Sequence, residues 1–249
     1  MINIINQLDK DLVDLINSFD TSIKYSKLDA IERDRRQNIR ILDSMMKRLF
    51  VNLAIVTGAR RGELSALTWD NIDLENMIIE FTGTSYTLAG QQTNKKYRLK
   101  NKDESKIIMI NEPLVPLIKE YKKMQSKVRR QNNWPNNDYV FLALSSGKVN
   151  KAGDPIRGDT LTHWFHDWCK SKYKELGLTK SEAEDAHVHM LRHSSISLLI
   201  NSQVPLKVIS DRAGHSDVTV TTKIYSHVYE NTNRIAANQF NKLYDAEIK

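Results

Sequence analysis

Apolar residues recur at helical spacing over residues 7–19, where Leu8, Leu12, Leu15, Ile16 and Phe19 fall on one face, and this predicts an amphipathic helix. Residues 31–46 are charged and helical in character, and 49–55 is an apolar run that leads into TGARRGELSALTW at 57–69. The texture changes at Met77. Residues 77–81 are a short run of strand formers, and 96–100 and 106–110 read as two more strands around a polar turn at 101–105. Beyond Pro113 the helical pattern returns in 114–130, 161–176, 187–200 and 206–212. A short extended piece is expected at 138–144 and terminal helices at 219–228 and 232–244. The expected fold class is therefore mainly α with a small antiparallel β-sheet (α+β), the sheet inserted after the first third of the chain.

Composition narrows the class. The chain has 249 residues with 9 Gly and 5 Pro, and it shows no internal repeat and no low-complexity linker. One large domain or two small ones fit this length. The single cysteine, Cys169, excludes an intrachain disulfide and a cysteine-based zinc site, so a reducing, cytoplasmic compartment is expected. No apolar run approaches the ~20 residues of a membrane span. Lys and Arg number 37 against 30 Asp and Glu, a net charge of +7. The excess is local: residues 91–130 hold twelve basic and four acidic residues. Such a segment is either a solvated basic face or a surface for a polyanion, most simply nucleic acid.

Three short motifs carry candidate chemistry. Arg60 and Glu63 stand three apart, so on a helix they share a face and the carboxylate can orient the guanidinium. His189 and Arg192 have the same spacing; two cations there would repel, which a shared anion would relieve. Gly214-His215 is followed ten residues later by Tyr225. A tyrosine is about one part in a thousand phenolate at neutral pH, so it becomes a nucleophile only beside cationic or proton-accepting groups. Each motif alone is also compatible with a structural role.

Taken in order, Thr57-Gly-Ala-Arg60-x-x-Glu63, a lysine in a β-turn, His189-x-x-Arg192-His193-Ser194, Gly214-His215 and Tyr225 resemble the tyrosine recombinase (phage integrase) family. That family's pattern reads TGxRxxE, a hairpin lysine, HxLRH, LGHS and a tyrosine nine or ten residues on. Ala213 stands where leucine is usual before Gly-His. The resemblance implies that family's catalytic-domain fold, with a core over 7–228 and a tail helix over 229–249. It also implies that the 249 residues are one catalytic domain without the core-binding domain that usually precedes it.

The activity implied is site-specific DNA strand cleavage and rejoining through a 3′-phosphotyrosine, without metal or ATP. Arg60 and Arg192 would bind the phosphate, Tyr225 would attack it, and Tyr229 is the alternative nucleophile one turn on. Lys100 would be the general acid, with Lys102 as runner-up. His189 would manage the tyrosine proton and His215 would donate to the phosphate. Glu63 and His193 would support the site. Lys95, Lys96, Arg98, Lys102 and Lys106 would contact DNA, with Lys106 at the family's non-catalytic basic position. The hairpin and the helix after it would follow the phosphate backbone near the cut. The partner implied is double-stranded DNA, held by a tetramer of the full-length protein, with the isolated domain a monomer. The tail would dock on a neighbouring protomer or fold back on its own domain. A type IB topoisomerase, a telomere resolvase and a non-catalytic DNA-binding relative remain the alternatives.

Overall fold

The computed structural model describes residues 2–18, 29–87, 94–98, 105–147 and 150–214, together with Thr219 and Thr222. For 86–87 and 94–98 it describes the backbone alone. The remainder of the terminal helices expected over 219–228 and 232–244 lies outside the described residues, as do Lys100, Lys102, His215, Tyr225 and Tyr229.

Helix α1 spans Ile2–Ser18 and packs on α2, Ala30–Thr57. The charged stretch 31–46 and the apolar run 49–55 are thus one continuous helix of 28 residues rather than two segments. Asp29 caps its start by accepting the Glu32 N–H at 2.7 Å. Its second half is enclosed on nearly all sides, with Leu49, Phe50, Val51 and Leu53 fully buried, which is why the amphipathic period fades there. Gly58 ends it in the left-handed conformation, φ 61°, donating its N–H to the Ala54 carbonyl.

A five-residue helix α3, Arg61–Ser65, follows, then a short antiparallel sheet. Strands β1 (Ile72–Asp73), β2 (Ile78–Phe81) and β5 (Lys106–Met109) form one sheet in the order β1-β2-β5, and β3 (Gly83–Thr87) pairs with β4 (Asn94–Arg98) in a second. Among the described residues, 96–98 and 106–109 do not pair with each other as the expected hairpin would require. β5 instead pairs with β2, Ile79 opposite Ile108 and Phe81 opposite Lys106. The physical reason is the inner face: Ile79, Phe81 and Ile108 are buried together, whereas Asn-Lys-Lys-Tyr-Arg has no apolar alternation to match and pairs with the equally polar Gly-Thr-Ser-Tyr-Thr.

Helix α4, Leu114–Asn132, lies along α2 and closes the core with Leu117, Ile118, Tyr121 and Val128. The segment 138–144 makes only isolated bridges, Thr68 with Tyr139 and Leu142 with Pro155. Helix α5 runs Gly158–Ser171 and stops short of the expected Leu176, because residues 172–177 turn and Gly177 adopts φ 71°. Helices α6 (Lys180–Glu184), α7 (His189–Asn201) and α8 (Leu206–Ala213) complete the described fold. The main core excludes one small cluster. Ile196, Ile200, Ile209 and Ala213 pack between α7 and α8 on their own. Among the described residues no helix is long and apolar enough to cross a membrane.

Candidate functional site

The site forms where the α7–α8 pair meets the ends of α2 and α3. Thr57 shapes the approach: its hydroxyl donates to the Leu53 carbonyl at 2.6 Å and accepts the Ala59 N–H at 3.1 Å. This turn delivers Arg60 to the N-cap of α3. Glu63 alone supplies the side-chain half of this cap: the Arg60 N–H donates to Glu63 Oε2 at 2.8 Å, and the guanidinium, with no acceptor, returns nothing. Arg60 Nη1 donates to Glu63 Oε1 at 3.0 Å, and Nη2 reaches the Gly214 carbonyl at 3.1 Å. Gly62 lets α3 lie against β3; a Cβ there would stand 2.4 Å from Thr84 Oγ1 and 2.6 Å from the Ser85 carbonyl oxygen.

Arg192 enters from the first turn of α7 and is buried, 3% exposed. Its Nη1 donates to the Gly58 carbonyl at 2.6 Å and its Nη2 to the Ala213 carbonyl at 2.5 Å. These acceptors share one origin. A helix leaves its last carbonyls without intrahelical partners, and that end carries partial negative charge. The ends of α2 and α8 therefore supply the carbonyls that hold the two guanidiniums. Arg60 and Arg192 grip consecutive residues, Gly214 and Ala213, so they converge on one place. Arg212 adds a third tie, donating to the Val56 carbonyl at 2.8 Å and weakly to that of Met109 on β5.

Glu63 sits between the cations. Burial pushes its carboxyl upward, but the Lys106 ammonium at 2.8 Å and the Arg60 backbone and guanidinium outweigh burial and hold it below the usual carboxylate range. Lys106 is itself buried, 8% exposed. Burial and the neighbouring Arg192 and Arg60 pull its pKa down, while Glu63 pulls it back up.

His189 and His193 stack edge to face on α7, with ring centres 4.7 Å apart. Burial lowers the His189 pKa first, then the charges of His193, Arg192, His187 and Arg60 lower it further. His193 is lowered by burial, Arg192 and His187. This lowering favours the neutral imidazole, which eases the expected conflict between His189 and Arg192 and leaves a ring able to accept a proton.

The structure brings together Arg60, Glu63, Arg192 and Lys106, with His189 and His193 one helix turn apart on α7. Lys106 lies buried against Glu63 rather than on an outer face. Its place was legible in strand phase: 106, 108 and 110 alternate with 107 and 109, so Lys106 shares the face of Ile108 and Ile110. Arg212 escaped sequence reasoning, because nothing local marks a residue whose acceptors lie in α2 and β5. Lys95, Lys96 and Arg98 belong to β4 by backbone position.

The C-terminal end of α4 lies beside the start of α2. Gln131 and Lys127 hydrogen-bond to Asp34 and Asn38 at the start of α2. Asn38 precedes Thr57 by nineteen residues, roughly 28 Å along the helix.

The comparisons with known proteins fit this geometry. The model of the phage integrase family matches residues 32–232. A XerC-like tyrosine recombinase of Caldanaerobacter subterraneus subsp. tengcongensis is 28% identical over 211 residues, 80% of this chain and 50% of that protein. The ICEBs1 integrase of Bacillus subtilis is 26% identical over 203 residues, 81% of this chain and 50% of that protein. The chain spans about half the length of these curated relatives. Among solved structures, the Tn1549 transposon integrase in complex with transposon right end DNA matches with a TM-score of 0.62 at 19% identity, over 83% of this chain and 64% of that one. That likeness shows the fold.

Proposed function

The chain belongs to the phage integrase family, and on that premise we propose that it is the catalytic part of a site-specific DNA recombinase. One observation carries the reading. Two guanidiniums from distant segments converge on the end of α8, that of Arg60 braced by Glu63, with His189 on the same α7 as Arg192. Paired planar donors suit the non-bridging oxygens of a phosphodiester better than point charges do. The attacked phosphate gains negative charge in the transition state, and fixed cations stabilise it there.

In this reading Tyr225 attacks phosphorus. The new bond joins its phenolic oxygen to phosphorus, and the bond to the 5′-oxygen breaks. The phenolic proton passes to His189, whose neutral ring supports that role. The leaving 5′-oxygen takes a proton from Lys100, and His215 donates to the phosphate. The roles of Tyr225, Lys100 and His215 rest on motif order. The 3′-phosphotyrosine conserves the energy of the broken ester, so a second 5′-hydroxyl can reverse the step without metal or ATP. Lys95, Lys96, Arg98 and Lys102 would position the duplex through its backbone. Four copies of the full-length protein would meet on paired sites, whereas this domain alone is a monomer.

The test uses a nicked duplex from which the short downstream fragment, carrying the freed 5′-hydroxyl, diffuses away, and the reaction is stopped with detergent. The labelled strand should stay covalently on the protein through its 3′ end. Y225F should lose the adduct and keep DNA binding. Attachment through a 5′ end would contradict the reading.

A further inference from the structure

The Glu63 carboxylate receives three donors on two oxygens. Oε1 accepts Arg60 Nη1; Oε2 accepts the Arg60 N–H and the Lys106 Nζ, each at 2.8 Å. Two of these donors belong to Arg60 itself, at the cap of a helix five residues long. So short a helix is not stable by itself. The third donor comes from the sheet. Lys106 lies opposite Phe81 in the β2–β5 register, with its ammonium 4.9 Å from the centre of the Phe81 ring. Its stem also borders the end of α8: a Cβ on Gly214 would be 3.5 Å from Lys106 Cδ and 3.4 Å from Arg60 Nη1.

We propose that Lys106 is a positioning residue for strand cleavage: by gripping Glu63 from the sheet side it fixes the orientation of the Arg60 guanidinium, and it does not itself touch the DNA. The inference rests on the recombinase reading given above.

Two physical points favour it. Stability alone does not account for a lysine here, since replacing a buried ionic group by an apolar one of similar volume is often neutral or stabilising. This lysine is moreover placed near two further cations, Arg60 and Arg192, which work against its charge. Arg60, by contrast, needs the support. Its side chain is 47% exposed, and an exposed ion pair fixes geometry weakly. Held from two sides, the carboxylate stops turning, and the guanidinium it binds keeps one direction. A misplacement of about 1 Å at a reacting centre can cost ~10²-fold in rate.

The experiment measures single-turnover cleavage of the nicked duplex at saturating DNA, and DNA affinity separately. The proteins are wild type, K106M, E63Q and the double variant. Methionine keeps the length of the stem and removes the charge; K106Q carries the same comparison if K106M melts below the assay temperature. K106M should cleave about 10–100-fold more slowly, with DNA affinity within about two-fold of wild type. The double variant should be no slower than E63Q, because Lys106 acts through that carboxylate. K106M cleaving at the wild-type rate, or weakening DNA binding in proportion, would overturn the proposal. So would losses that multiply in the double variant. A wild-type protein that forms no adduct fails at an earlier step and overturns the recombinase reading instead.

Discussion

Two basic regions of this molecule hold their charge in opposite ways. Along α4, Lys119, Lys122, Lys123, Lys127 and Arg130 follow one another closely in sequence, and most of them face solvent. At the candidate site, Arg60, Lys106 and Arg192 are single residues from three separate segments. Each is fastened there, to helix-end carbonyls or to Glu63. Exposed charges are screened within about 10 Å at ordinary ionic strength and pair weakly. A fastened charge acts at a fixed point, which is what a developing transition-state charge requires. Density of charge marks the first region in the sequence and motif order the arginines of the second; only the fold shows what fastens them.

The sharpest way to break this comparison is to remove the most deeply held cation. R192A should lower cleavage by about 10²–10³-fold or more. It also leaves the Gly58 and Ala213 carbonyls without their Arg192 donors, so stability should fall by about 1–3 kcal/mol for each group left unsatisfied. Chemical denaturation beside the cleavage assay separates these effects. Cleavage within about two-fold of wild type would put the phosphate elsewhere.

A second test moves the frame and leaves the charges in place. G62A would force a methyl into contact with Thr84 and Ser85. The resulting overpacking should cost about 1–3 kcal/mol and displace α3, which carries Arg60 and Glu63. The melting temperature should drop and cleavage should slow even where the protein remains folded.

Acidification tests the electrostatics of the held site. His189 and His193 both have folded pKa values below the ordinary 6.5. As pH falls, the unfolded chain takes up these protons first, so stability is full above about 6.5 and declines as pH passes through the folded values. Glu63 is also lowered, from 4.5. Its contribution is present above about 4.5 and is lost on further acidification. Melting temperatures should therefore fall in two windows. H189Q/H193Q should flatten the upper window and E63Q the lower. A melting temperature independent of pH between about 7 and 5 would contradict the first assignment.

The smallest effect is expected at the other region. K123A/K127A/R130A removes three charges from α4, yet cleavage at saturating DNA should stay within about two-fold of wild type, because surface charges so far away are screened. A large loss of DNA affinity, measured beside cleavage, would show that α4 lies on the DNA.

Much of this was legible in the sequence, for reasons that differ by element. The face of Leu8, Leu12 and Leu15 marked α1, and the helical pattern that returns after Pro113 marked α4. The pairing of Arg60 with Glu63 was legible in their spacing, although Arg60 stands at the N-cap and not within α3. Strand partners were less legible. The turn-like residues 101–105 suggested a local hairpin, but β5 took β2 because Ile108 needed Ile79 and Phe81 across the sheet. The arginine–carbonyl ties were not legible at all. Arg192 and Gly58 are 134 residues apart, and a backbone carbonyl has no signature in the residue that carries it. The same limit applies to the separate α7–α8 cluster, which joins the main body at the site through Arg60, Arg192 and Arg212.

The most direct measurement is to map the covalent adduct. The protein is incubated with nicked duplexes, digested, and the nucleotide-bearing peptide identified by mass, with a full-length relative as positive control. A 3′-phosphonucleotide on Tyr225, lost in R192A, is the expected result. An adduct on Tyr229, or on Tyr225 at undiminished yield in R192A, would contradict it.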